Sequence, residues 1–411
     1  MSQTEVQLIK NDAVKTADIA DDQVTIAKLN ATGTASSSTF LRGDGSFAAA
    51  GAGKAHNLVI NGAMEIAQRG TSSTANGIKT VDRFRGDWTG VDNPPTQAQV
   101  DVAAGTTPYT EGFRKAFRIT NGNQTSGADA GDFIGIDTSL EAQDIAKSGW
   151  NYVSSSSNIT LSFWIKSSVA QNFYGYLFTS DGTSQNYPFE TGALSADTWT
   201  KITKTIPGNT NLTFNNDNGA GLQIQLWAYL GTSYTGTLTL NQWAAFAGAT
   251  RTPNNTATWY TTNVATLEIT GVQLEVGSNA TDFEHISFAD ELIKCERYYQ
   301  KSYDYGTVPG ASNAGVGQVF GRFPDAVTNR GDLSVRLSTP MRSIPAITVY
   351  KPYDGTAGQA EDYSAGDGTA SGVGRVVSSV ANIGTKGFGP IKMNSGVDGS
   401  VGYHYQAEAE V

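Results

Sequence analysis

One cysteine, three histidines and a charged fraction of only 16% are what this 411-residue chain has least of. A lone Cys295 excludes an intrachain disulfide and any thiolate metal cluster. His56, His285 and His404 lie far apart in sequence and match no zinc-ligand spacing. Basic residues are also short, at 28 against 38 acidic, for a net charge of -10. That removes the basic footprint of a nucleic-acid binder. No apolar run is long enough to cross a bilayer, so no membrane insertion is expected. The opening residues MSQTEVQLIKND lack a basic region and an apolar core, so no signal peptide is expected. Gly51–Ala55 (GAGKA) lacks both the upstream glycine and the following Ser/Thr of a phosphate loop, and reads as linker.

Catalytic constellations are equally scarce. Glu361-Asp362 and Asp282/Glu284 are the nearest carboxylate pairs, and both read as solvated loop residues rather than a glycosidase pair. Asp181, Asp217 and Asp354 sit in loops that could hold calcium, but without diagnostic spacing. The expectation is a protein with no metal and no cofactor, and not an enzyme. Arg-Gly-Asp occurs at 42–44 and 330–332, each in glycine-rich turn sequence that explains it.

What is present is glycine, at 46 residues, and a polar surface of Asn, Ser and Thr with few charges. Such a surface suits contact with sugars or with further copies of itself. Residues 57–286 read as all-β. Ile159, Leu161, Phe163 and Ile165 alternate with Thr160, Ser162, Trp164 and Lys166. Leu222, Ile224, Leu226, Ala228 and Leu230 alternate with Gln223, Gln225, Trp227 and Tyr229. Period two with one apolar face means an antiparallel sheet packed on one side. Turns at Ser180-Asp181-Gly182 and Pro207-Gly208-Asn209 separate such strands, which predicts a sandwich or jelly roll. Ser139–Ile145 is either a short helix or an excursion between sheets.

The stretch Leu267–Tyr303 joins two β regions. Leu267 and Ile269 alternate with polar neighbours, and beyond Gly271 the alternation resumes out of phase at Val272, Leu274 and Val276. A phase slip at glycine predicts a β-bulge. Ser287 opens a helix signal with Asp290 and Glu291 in its first turn. Leu292, Cys295 and Tyr299 form its apolar face, giving a joint helix over 288–300. Residues 304–411 read as a second, smaller β-sandwich. Its strands are expected at Gly317–Phe323, Asp332–Leu337, Ile347–Tyr350 and Tyr403–Ala407, with glycine-rich loops at 354–374 and 384–399. At the other end, Asp12, Val14, Ala17 and Ile19 recur ten residues on as Asp22, Val24, Ala27 and Leu29. So few apolar residues cannot bury themselves in one chain. They form either a disordered tail or an intertwined stalk of several chains. Residues 31–56 read as linker.

The run GVQLEVGSNATDFEH with ISFADELIKCERYYQKS resembles a segment that recurs in tail fibres and other host-recognition proteins of tailed bacteriophages. NLVINGAMEIAQRGT (57–71) with VDRFRGDW (81–88) resembles the entry to the same domain, and STFLRGDGSFA (38–48) a fibre stalk. The sandwich pattern is similar to the carbohydrate-binding-module type of jelly roll. The resemblance implies an all-β protein in four parts: a virion-attachment stalk and linker (1–50), a jelly roll (51–286), a joint helix (287–303) and a distal β-sandwich (304–411). It implies a homotrimer made in the bacterial host cytoplasm and carried on the virion. The trimer would dock through its N-terminus to phage tail or adaptor proteins, and would adsorb to host surface polysaccharide or lipopolysaccharide. A virion scaffold or decoration protein without a receptor is the alternative. A polysaccharide depolymerase is disfavoured, because the long parallel β-helix repeat of enzymatic tailspikes is missing. The expected glycan site takes Trp164, Trp227 and Tyr229 as stacking rings on the polar sheet face, with Lys166, Gln223 and Gln225 as hydrogen-bonding partners. Coverage of that face by a loop, a domain or another subunit is the competing reading.

Overall fold

The computed structural model describes residues 39–41, 47–49, 56–312, 316–323, 334–363, 373–394 and 399–411. The repeat at 12–30 and both Arg-Gly-Asp tripeptides lie wholly or partly outside the described residues. The chain divides into two units, Met1–Ala55 and His56–Val411. In the first, β1 (Thr39–Leu41) and β2 (Phe47–Ala49) pair antiparallel. A pair of antiparallel strands therefore stands where linker was expected.

The second unit opens with the sandwich. Its elements are β3 (Ser72–Ser73), β4 (Arg85–Thr89), β5 (Thr96–Asp101), α1 (Thr107–Thr110), β6 (Lys115–Thr120), β7 (Phe133–Glu141), α2 (Ala142–Ala146), β8 (Asn158–Ser167), β9 (Asn172–Thr179), β10 (Gln185–Ala193), β11 (Thr200–Pro207), β12 (Ala220–Leu230), β13 (Ala244–Ala245), α3 (Thr258–Thr261) and β14 (Thr266–Val276). Two six-stranded antiparallel sheets result, β13-β10-β9-β12-β7-β4 and β11-β8-β14-β6-β5-β3. They form the expected jelly-roll sandwich. Period-two strands bury one face each: Ile159, Leu161, Phe163 and Ile165 of one sheet meet Leu222, Ile224 and Leu226 of the other. Trp259 and Tyr260 of α3 are 0% and 1% exposed, and each such ring contributes about 1.5–3 kcal/mol or more. Ser139–Ile145 resolves into both readings at once, strand to Glu141 and then α2. The bulge predicted at Gly271 is present. Its φ is +63°, and the register of β14 on β8 slips between Thr270 and Gln273. A Cβ there would sit 2.6 Å from the Phe113 ring, so only glycine fits.

Past the sandwich come α4 (Phe288–Glu296) and β15 (Tyr299–Lys301). Ser287 caps α4, its Oγ accepting from the Asp290 N–H at 3.2 Å. The helix is shorter than the expected 288–300, because Tyr299 pairs as strand with Glu408. Cys295 and Tyr299 are buried, whereas Leu292 is only half-buried. The remaining strands are β16 (Val319–Phe323), β17 (Val335–Arg336), β18 (Ala346–Tyr350), β19 (Gln359–Asp362), β20 (Gly374–Val380), β21 (Gly387–Phe388), β22 (Ile391–Met393) and β23 (Gly399–Glu408). β23 is the hub, pairing with β15, β16, β18 and β19. Three strands, β19, β21 and β22, run through the stretches expected to be loops, since Ala360, Phe388, Ile391 and Met393 are apolar enough to be buried among the glycines.

A buried ionic seam ties this sheet to the jelly roll. Arg69 reaches Asp82 (3.2 Å) and Glu410 (2.8 Å) and lies over the Tyr299 ring. Arg83 pairs with Glu410, donates to the Ser139 carbonyl and lies over Tyr298. Arg297 grips Glu141 with two bonds of 2.6 and 2.7 Å, and the Tyr298 hydroxyl donates to the same carboxylate at 2.6 Å. Bidentate pairing of this kind fixes orientation as well as distance.

Candidate functional site

The six residues expected to share a glycan site do not come together. Gln223, Gln225 and Trp227 lie on the outer face of the first sheet. Trp164 and Lys166 lie on β8, in the second sheet, whose outer face is the opposite side of the sandwich. Tyr229 joins the core between the sheets. The cause is a bulge in β12, where the register on β7 slips between Trp227 and Tyr229 and swings Tyr229 inward.

The three rings are not exposed stacking platforms. Trp164 is 6% exposed, Trp227 3% and Tyr229 5%. Trp164 is covered by the segment that carries α1, packing with Val102, Phe113 and Ala116 while its Nε1–H donates to Glu111 at 3.0 Å. Lys166 pairs with the buried Glu268 at 3.0 Å. Trp227 lies across Gly135 of β7, where a Cβ would meet its ring at 2.4 Å. Phe133, Tyr176, Tyr234 and Phe246 then surround it. Trp164 and Trp227 are thus covered on the polar faces, whereas Tyr229 belongs to the core.

One strip of the first sheet's outer face is partly exposed, at Arg85, Asp87, Ser139, Gln223 and Gln225, with Asp137, Tyr176 and Trp227 buried among them. Register sets Arg85, Asp137, Gln225 and Tyr176 side by side across β4, β7, β12 and β9. The neighbouring row is Ser139, Gln223 and Phe178, and the row on the other side is Asp87, Gly135, Trp227 and Tyr174. Adjacent strands stand about 4.8 Å apart, so four strands carry a surface of roughly 14 Å. A groove of about 180 Å³ lies here, lined by Ile78, Arg83, Arg85, Asp137, Ser139, Gln223 and Val411. On the same face, the Gln225 amide donates to Gln223 at 2.9 Å. Arg85 is 46% exposed at its side chain, and its guanidinium spans Asp137 (2.8 Å) and Asp87 (3.3 Å). Burial pushes the Asp137 carboxyl up to about 6 despite the Arg85 charge. At the far side stand half-buried rings: Tyr174, Phe178, and from the loop after β12 Tyr234 and Phe246. Phe178 meets Phe246 edge to face at 4.7 Å, and Arg251 lies over Tyr234.

This arrangement offers planar amides, a guanidinium and carboxyls on a rigid floor beside aromatic edges. It can bind a hydroxyl-rich ligand through several directed hydrogen bonds. Arg85, Asp137, Ser139, Tyr174 and Phe178 were missed by the sequence reading. The alternation Arg85-Gly86-Asp87-Trp88, polar outward and apolar inward, carries the signal for the first.

The described residues contain no group of three or more His, Cys, Asp or Glu placed to hold a metal ion. Asp181 accepts from Asn215 of the loop between β11 and β12, Asp217 accepts from Gly219 in its own loop, and Asp354 pairs with Lys351. No helix among the described residues is long and apolar enough to cross a membrane.

No family model and no curated protein matches the chain. Among solved structures, it is similar to one described as "CBM4 structure and function", at 14% identity over 53% of this chain and 98% of that one, with a TM-score of 0.27. It is also similar to the N-terminal cellulose-binding domain of Cellulomonas fimi β-1,4-glucanase C (12% identity, 52% and 99% covered, TM-score 0.26). A family 30 carbohydrate-binding module is similar at 11% identity, with 56% and 92% covered and a TM-score of 0.25.

Proposed function

We propose that this chain is a non-catalytic glycan-binding protein whose saccharide site is the partly exposed strip on the outer face of the first sheet. The observation that carries the reading is the register row Arg85–Asp137–Gln225, with Gln223 and Ser139 beside it and half-buried rings at its end. Sugar hydroxyls need both donors and acceptors at fixed spacing, and a sheet floor supplies them without ordering cost. Finer still, the chain is a tail-fibre or receptor-binding component of a tailed bacteriophage, carried on the virion as a homotrimer. The stretches at 12–30, 57–71 and 267–303 support that part. Adhesion would rest on weak sites multiplied by symmetry, with host surface polysaccharide or lipopolysaccharide as the ligand.

The test is binding of the full chain to an immobilised panel of bacterial capsular polysaccharides and lipopolysaccharides. Gln223→Ala with Gln225→Ala should abolish binding to any responding glycan. Trp164→Phe, on the opposite sheet, should leave it intact. Binding that survives the double substitution moves the site elsewhere. Light scattering should give three times the 43.4 kDa chain mass, and a monomer at micromolar concentration removes the trimer.

A further inference from the structure

A second cavity, of about 220 Å³, shares no lining residue with the sheet-face groove. It is well above the ~10–15 Å³ that one water requires. Four chain segments build it: residues 63–65, the turn at Gly112, the strap 283–288 and the first turn of α4. Phe283, Ile286 and Phe288 supply apolar wall, and Glu65 and Glu291 place carboxylates on it.

Neither carboxylate forms an ion pair among the described residues. The cations nearest Glu65 are committed elsewhere. Lys115 pairs with Asp101 at 2.6 Å, and Arg114 donates to the carbonyls of Tyr109 and Phe113. The neighbouring His285 gives its Nε2–H to the Glu111 carbonyl at 2.8 Å and packs its ring between Phe113 and Phe283. Glu291 accepts the Asn61 N–H at 2.7 Å through one oxygen. Burial raises both carboxyls above their usual range, more than Lys115 and Arg114 lower Glu65, and more than the Asn61 hydrogen bond and Lys294 lower Glu291. Two half-buried acids held in no ion pair leave the cavity favourable to a positive charge. The aromatic wall favours the same occupant, since a phenyl face attracts an ammonium.

We propose that this cavity binds a small organic ammonium, a primary amine on a compact polar body of amino-sugar size. The ammonium sits between Glu65 and Glu291, and the body packs against Phe283 and Phe288. The site is independent of the sheet-face reading and stands or falls separately from it.

Calorimetric titration of the full chain with D-glucosamine and D-glucose at about pH 6.5 tests it, a pH that keeps an amine of this type charged. Glucosamine should bind saturably and glucose should not. Glu65→Gln with Glu291→Gln should weaken glucosamine by about tenfold or more. A thermal melt checks that the variant is folded. The single variants serve if the pair is not. Equal binding of the two sugars, unchanged glucosamine binding in the variants, or no binding at all overturns the proposal. Gln223→Ala with Gln225→Ala should not affect glucosamine, which separates this site from the groove.

Discussion

Removal of Arg297 should undock the helix α4 from the jelly roll. The Glu141 side chain is 0% exposed, and it accepts Arg297 through two bonds and Tyr298 and Gln143 through one each. Arg297→Ala deletes the only charge that, among the described residues, opposes that carboxylate at contact distance, and leaves two neutral donors. Breaking a buried pair from one side costs about 3–5 kcal/mol. Because the Arg297 side chain is itself 33% exposed, the lower end, about 3 kcal/mol, applies.

The pH dependence fixes the cause. Burial pushes Glu141 up, but hydrogen bonds from Arg297 and Tyr298 and the Arg297 charge hold it below the usual carboxylate range. A depressed carboxyl adds stability that is present above its unfolded value of about 4.3 and lost as pH falls through the folded value. Without Arg297, burial prevails and the charged form becomes the destabilising one. The deficit of the variant should therefore be greatest at neutral pH and shrink below about pH 5, where Glu141 takes up a proton. Urea unfolding of both proteins from pH 4 to 7 measures this, with an unchanged slope confirming that the midpoint shift is a stability change. A neutral-pH deficit under about 1 kcal/mol, or one that grows on acidification, would refute the argument.

Three further outcomes are expected. Asp137 has the opposite sign to Glu141: its folded value of about 6 lies above the unfolded ~3.9, so stability is highest at acid pH and declines as pH rises through 6. Asp137→Asn should erase that decline, shifting the stability gap by about 3 kcal/mol between pH 4 and 7; parallel wild-type and variant profiles would contradict it. Cys295 is 1% exposed and its thiol is raised well above its ordinary value by burial, so native protein should resist thiol alkylation and react only in denaturant. Gly135→Ala would drive a methyl into the Trp227 ring and should cost about 1–3 kcal/mol, read as a lowered melting temperature with altered tryptophan fluorescence.

Much of the fold was legible because period-two alternation reports a single physical fact, that one sheet face is dry. Ile159–Ile165 and Leu222–Leu226 therefore read correctly, and so did the phase slip at Gly271, where glycine marks its own bulge. The end of α4 was not legible. Tyr299 continues the helical spacing perfectly well, and only its pairing with Glu408, 109 residues on, turns it into strand. Likewise β19, β21 and β22 are too short and glycine-flanked to announce themselves.

The candidate site failed for a more instructive reason. Alternation says which residues leave the core; it does not say what then covers them, nor which of two sheets a strand has joined. Trp164 and Trp227 both point outward as expected, yet on opposite sides of the sandwich, and each is sealed: Trp164 by a segment some fifty residues earlier, Trp227 by rings that include Tyr234 and Phe246 just beyond its own strand. For Tyr229 even the facing rule broke, because the β12 bulge lies at Trp227-Ala228 with no glycine to mark it. Large rings are the residues a loop gains most by covering. Gln223, Gln225 and Ser139 offer a loop little apolar area, so they stay partly exposed. On a sheet face of this kind, the polar neighbours of an aromatic residue are better guides to the exposed strip than the aromatic residue itself.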